Sequence, residues 1–207
     1  MGEGPTTPKD IIAVIGAGVL GRAIAQAVAL GGYRTILEDL LPNTLRQAQA
    51  EIRGNLDAAV ARGEISQVEA DAAYRRIDYA GSLEDAARAA DLVIEAIADE
   101  LESKIEIFTL LDKICRPHTI LVTNTLTLKV GEIALVTFRR DQCVGLRMRP
   151  PIQQMPSLEI VKTDETDDRT LASAVELARR IGKKAVVVQE SAGVPQRAAS
   201  GLSGRHD

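Results

Sequence analysis

The residues with the clearest chemical purpose are three glycines in Ile-Ala-Val-Ile-Gly16-Ala-Gly18-Val19-Leu20-Gly21, a G-x-G-x-x-G spacing. That spacing alone is common, and its context gives it meaning. It follows a short apolar run, 11–15, which reads as a strand, and it opens an alanine-rich stretch, 21–30, which reads as a helix ended by Gly31-Gly32. A second strand follows at 35–37, and an acid, Asp39, lies 18 residues beyond Gly21. In a strand–turn–helix–strand unit of this kind, Gly16 makes the tight turn, Gly18 lets a pyrophosphate approach the backbone, and Gly21 lets helix pack on strand. The free N–H groups of the helix start, around Val19 and Leu20, would bind the anion. Asp39 would accept hydrogen bonds from the adenosine ribose hydroxyls and repel a 2′-phosphate, and Leu40-Leu41-Pro42 supplies no arginine to receive one. The reading is a dinucleotide site that prefers NAD to NADP. Its alternative is a ligand-free glycine turn. Glu38, beside Asp39, is expected to be a solvated neighbour.

The rest of the chain must hold that unit. Between 43 and 80 the apolar period turns helical: Leu45, Ala48, Ile52, Leu56, Ala59 and Val60 recur on one face, Gly63 breaks the pattern, and Ser66-Gln67-Val68-Glu69 opens a second helix with a capping box. This reads as a helical hairpin inserted after the second strand. Helices then alternate with strands: helix 83–90, strand 91–96, helix 101–114, strand 119–123, short helix 130–136, strand 143–146, strand 158–161, helix 168–181 and strand 185–188. Such alternation predicts an α/β fold with a doubly wound, mostly parallel sheet. One domain is expected over 11–193, with a loose lead at 1–10 and a loose tail at 194–207.

Composition bounds the function. The chain has 207 residues, 45% hydrophobic and 26% charged, and a formal net charge of −4, which argues against a nucleic-acid surface. Cys115 and Cys143 have no partner at metal-ligand spacing, and with only His118 and His206 a multi-histidine metal site is nearly excluded. His118 reads as an exposed loop residue. A reduced, cytoplasmic setting is the expectation, since no signal-peptide pattern opens the chain and no apolar run reaches a membrane-spanning length.

Beyond the glycines, several motifs occur in a specific order: the helical hairpin, Asp91-Leu-Val-Ile-Glu95-Ala96-Ile-Ala-Asp99-Glu-Leu-Glu-Ser-Lys104, Val122-Thr-Asn124-Thr-Leu126-Thr-Leu, Val144-Gly-Leu-Arg147, Leu158-Glu159-Ile-Val, and the stretch from Ala174 to Lys183. Over roughly 11–193 the sequence resembles the amino-terminal domain of the 3-hydroxyacyl-CoA dehydrogenases. The resemblance implies that Ala96, Asp99, Lys104 and Asn124 line the nicotinamide half of the cofactor site. The alternative for Lys104 and Asp99 is an exposed pair on a helix start.

In that family a histidine, oriented by a glutamate, removes the hydroxyl proton of the substrate while hydride passes to NAD. Its segment G-L-H-F-F-N-P here reads Gly145-Leu146-Arg147-Met148-Arg149-Pro150-Pro151. Arg147 stands where the histidine should be, and a guanidinium cannot be deprotonated in a protein. The family's substrate-side asparagine and serine are replaced by Pro150 and Leu126. Glu159 keeps the glutamate position. The family continues into a helical domain that closes the substrate cleft and makes the usual dimer, whereas this sequence ends at Asp207. Three readings follow: an NAD(H)-binding protein without the family's base chemistry, acting as a sensor or with a partner subunit; an oxidoreductase in which Arg147 polarises a carbonyl; and an interaction module whose cofactor site is vestigial. Arg147 and Glu159 are expected to pair. If instead Arg147 and Arg149 share a strand face, they would hold a carboxylate, a phosphate or the anionic part of an acyl-CoA.

Overall fold

In the computed structural model, residues 11–190 are described; the expected loose lead and tail lie outside them, as do residues 191–193 of the expected domain. The chain runs β1 (Ile11–Ile15), α1 (Val19–Leu30), β2 (Arg34–Glu38), α2 (Pro42–Ala61), α3 (Gln67–Arg75), β3 (Ile77–Ala80), α4 (Leu83–Ala87) and β4 (Leu92–Glu95). It continues with α5 (Leu101–Ile114), β5 (Ile120–Asn124), α6 (Val130–Ala134), β6 (Cys143–Arg147), β7 (Ser157–Lys162), α7 (Asp168–Arg180) and β8 (Lys184–Gln189). The eight strands form one sheet in the order β3-β2-β1-β4-β5-β6-β7-β8.

The central strands are buried on both faces, which is why they read as unbroken apolar runs. In β1 the pleat sends Ile12 and Val14 to one core, under α1, α2, α3 and α7, and Ala13 and Ile15 to the other, under α4, α5 and α6. No helix among the described residues is long and apolar enough to cross a membrane.

One expectation changes. The inserted hairpin is α2 and α3 alone: residues 77–80 are not part of it but form β3, which adds to β2 as the edge of the sheet. The Ser66 capping box is present, with the Ser66 hydroxyl accepting from the Glu69 N–H and the Glu69 carboxylate accepting from the Ser66 N–H. The sheet is mostly parallel, as expected, with one exception. Only a short 3-10 turn (Ile152–Gln154) separates β6 from β7, too little for a crossover, so these two strands pair antiparallel while all other neighbours are parallel.

Candidate functional site

The strand order reverses at β1, and the helices that follow β1 and β4 pack on opposite faces of the sheet, which leaves at the carboxyl ends of these strands the crevice where doubly wound sheets bind ligands. Gly16, Gly18 and Gly21 lie at its first edge. Gly16 has φ of +96°, a conformation open mainly to glycine. A Cβ on Gly21 would stand 1.8 Å from the Gly16 carbonyl oxygen, so only glycine lets α1 rise directly from the turn. A side chain on Gly18 would meet nothing within 4 Å: it faces open space. Gly18 is also the N-cap of α1 and offers no side-chain cap, so the first N–H groups of the helix, at Val19, Leu20 and Gly21, point outward without a protein acceptor. An anion fits there.

Asp39 follows β2 and faces the same turn. One carboxylate oxygen accepts the Ala17 N–H at 3.0 Å and the other the Leu41 N–H at 2.9 Å. Each oxygen keeps a lone pair for a ribose hydroxyl. Glu38 is not the solvated neighbour expected from the sequence: it is only 3% exposed, because β2 is covered on both faces. Burial pushes its carboxyl up to about 7, the Asp39 carboxylate adds to the rise, and the Gly16 N–H partly offsets both.

Across the crevice, Ala96, Asp99, Lys104 and Asn124 come together at the ends of β4 and β5, but not as an exposed pair on a helix. Lys104 is 0% exposed, although it lies on α5. Its ammonium donates to both oxygens of Glu95, at 2.6 and 2.8 Å, and to the Asn124 carbonyl at 2.9 Å. Asp99 lies 3.8 Å from the same ammonium, and its carboxylate accepts the Leu126 N–H and the Thr127 hydroxyl. Burial alone would raise the Asp99 carboxyl, but the Thr125 and Thr127 hydroxyls, the Leu126 N–H and Lys104 hold it below its ordinary value. The Asn124 side chain donates to the Met148 carbonyl and accepts the Met148 N–H, tying β5 to the segment after β6.

Glu95 is the site residue that sequence reasoning missed. The signal was present: a carboxylate ending the wholly apolar run Leu92-Val-Ile needs a buried partner, and a helix lysine follows nine residues later.

Arg147 ends β6 and stands opposite Glu159 on β7. A single guanidinium nitrogen, Nη1, donates to Glu159 at 2.9 Å, and the side chains are 41% and 46% exposed. The pair is therefore half open to solvent. Arg149 does not share a strand face with Arg147, because β6 stops at Arg147 and Arg149 lies in the loop leading to Pro150-Pro151. His118 is exposed, 3.4 Å from Asp91 at the opposite end of the sheet from the crevice.

The family model described as 3-hydroxyacyl-CoA dehydrogenase, NAD binding domain, matches residues 11–191. The chain belongs to this family. It is similar to a probable 3-hydroxybutyryl-CoA dehydrogenase of Bacillus subtilis (strain 168), 35% identical over 182 residues, covering 88% of this chain and 63% of that protein. It is also similar to a peroxisomal fatty acid beta-oxidation multifunctional protein of Oryza sativa subsp. japonica, 32% identical over 188 residues, covering 90% of this chain and 26% of that one. Among solved structures, 3-hydroxybutyryl-CoA dehydrogenase from Escherichia coli K12 superposes with a TM-score of 0.83 at 30% identity, covering 87% of this chain and 38% of that one. For (S)-3-hydroxybutyryl-CoA dehydrogenase from Ralstonia eutropha the TM-score is 0.84 at 27% identity, with 88% and 64% covered. The chain thus spans less than two thirds of each of these proteins. The family assignment makes NAD the cofactor, and the uncapped start of α1, the open space before Gly18 and the two-oxygen acceptor Asp39 fit it. Bound there, NAD would supply hydride acceptance; the chain's own groups would hold its pyrophosphate and ribose.

Proposed function

We propose that this 3-hydroxyacyl-CoA dehydrogenase family domain binds NAD(H) in preference to NADP(H) and lacks the base-catalysed oxidation of a 3-hydroxyacyl-CoA. The observation that carries the reading is Arg147, at the family's histidine position, with Nη1 2.9 Å from the one carboxylate that would orient a base. A guanidinium holds its proton, so Arg147 cannot take the hydroxyl proton as the family's histidine does, and Glu159 is held in an ion pair instead of orienting a base. Leu126 and Pro150, exposed at the positions of the family's serine and asparagine, leave the substrate oxygen without its polar partners. The role that fits is cofactor binding as a redox sensor or beside a partner subunit.

Two measurements test this: titration of NADH and NADPH fluorescence against the protein, and an acetoacetyl-CoA reduction assay. Tighter NADH binding with no turnover is the expected result. Turnover at an ordinary enzymic rate of roughly 1–10³ per second would overturn the loss of chemistry, and equal or tighter NADPH binding would overturn the cofactor preference. A second reading is favoured by one detail. Arg147 engages Glu159 through Nη1 alone, which leaves N–H donors able to polarise a carbonyl or hold a carboxylate or phosphate of an acyl-CoA or other small anion. Slow reduction that Arg147→Lys greatly weakens would select it.

A further inference from the structure

Glu95 is fully buried at the end of β4, and its two oxygens serve donors from three parts of the chain. One accepts the Ile97 N–H at 2.8 Å and the Lys104 ammonium at 2.6 Å; the other accepts the same ammonium at 2.8 Å and the Thr123 hydroxyl at 2.7 Å. Lys104 passes the connection on to the Asn124 carbonyl, and Asn124 grips Met148 by two further bonds. The chain Ile97–Glu95–Lys104–Asn124–Met148 therefore runs beneath the carboxyl ends of β4, β5 and β6. It reaches the residue between Arg147 and Arg149. Among the described residues no comparable polar network lies under the ends of β1 and β2, where backbone groups and Asp39 form the site directly.

A doubly wound sheet binds a dinucleotide with one mononucleotide half over each half of the sheet. The first half, at Gly16–Gly21 and Asp39, takes the adenosine side, so the network underlies the other. Burial pushes the Glu95 carboxyl up, while Lys104, Thr123 and the Ile97 N–H pull it back toward the charged form. A buried ion pair of this kind gives little net stability against an apolar replacement, which turns attention to what its geometry holds in place.

We propose that Glu95 is the positioning residue of the nicotinamide half: acting through Lys104, Thr123 and the Ile97 N–H, it sets the backbone at 96–99 and 123–125 in the geometry that receives the nicotinamide ribose. It touches no cofactor atom itself. The proposal rests on NAD binding across the crevice, and the test separates the two.

The experiment compares NADH with ADP-ribose, which has the adenosine and pyrophosphate parts but no nicotinamide, by calorimetric titration of the parent chain, Glu95→Gln and Thr123→Val. Far-UV circular dichroism and melting temperature report folding. In the parent both ligands should bind; failure of both overturns the cofactor reading itself. In Glu95→Gln, NADH should weaken at least tenfold while ADP-ribose changes less than threefold. Thr123→Val removes one donor without changing shape and should show the same selectivity at a smaller magnitude. It decides the matter if Glu95→Gln does not fold. Equal weakening of the two ligands in a folded variant makes Glu95 merely structural and overturns the proposal, as does unchanged NADH binding.

Discussion

Glu38 offers a direct test of how burial and charge are balanced at the first edge of the crevice. Its carboxyl is pushed from an ordinary 4.5 to about 7 by burial and by Asp39, so the folded chain keeps this proton when the unfolded chain has released it. Below pH 4.5 both states are protonated and the full stability is present. As pH rises toward 7 the unfolded state gains by ionising and stability is lost, and the loss levels off once the folded state ionises too. At 1.36 kcal/mol per unit, the penalty is about 1 kcal/mol at pH 5 and about 3 kcal/mol at pH 8. Glu38→Gln keeps the shape and removes the titration. Urea unfolding of parent and variant at pH 5, 6, 7 and 8 reads this residue as a difference, in which the groups not coupled to Glu38 cancel. The variant's advantage should grow by about 2 kcal/mol from pH 5 to pH 8. A difference that stays flat across that range would refute the reasoning, since it would mean Glu38 ionises alike in both states.

Other outcomes follow from the same geometry. Arg147→Ala should cost under about 1 kcal/mol in urea unfolding, because the pair with Glu159 is half open to solvent; a loss of several kcal/mol would show a pair shielded from water. Gly21→Ala should abolish NADH binding and lower the melting temperature, since its Cβ would stand 1.8 Å from a backbone oxygen that cannot yield cheaply. Asp39→Ala should weaken NADH by about 1–3 kcal/mol in calorimetric titration, through the lost ribose bonds and the released Ala17 N–H. Unchanged affinity would remove Asp39 from the site.

The sequence was most legible where backbone geometry itself dictates residue type. Gly16 and Gly21 are required by a positive φ and a close approach, and Ser66 with Glu69 by unpaired N–H groups at a helix start, so each announces its structure locally. What stayed hidden depended on distant partners. Residues 77–80 alternate Ile-Asp-Tyr-Ala over only four positions directly after a helix, and their strand character comes from pairing with β2. Glu38 looked exposed because charge suggests solvent, yet α-helical cover on both faces of β2 buries it. Lys104 likewise carries the residue type of an exposed helix face, and only the tertiary position of Glu95 explains why it points inward. For Arg149 the strand pattern was extended one residue pair too far, past the point where β6 loses its partner.

The strand order has a consequence for how the molecule opens. Neighbouring strands in the described sheet are consecutive in the chain at every place but one: β1 meets β4, with Ile12 beside Leu92, across 80 residues. The sheet is thus two sequentially wound blocks, β1–β3 and β4–β8, joined along a single line, and the cofactor crevice opens at the end of that line. A molecule bound across it holds both blocks. Its binding free energy, about 2.7 kcal/mol at a hundredfold excess over the dissociation constant, then adds to the cost of parting them. Amide hydrogen exchange registers such linkage block by block: NAD should slow exchange most along Ile12–Ile15 and Leu92–Glu95, and least in β8, which can fray without disturbing the junction.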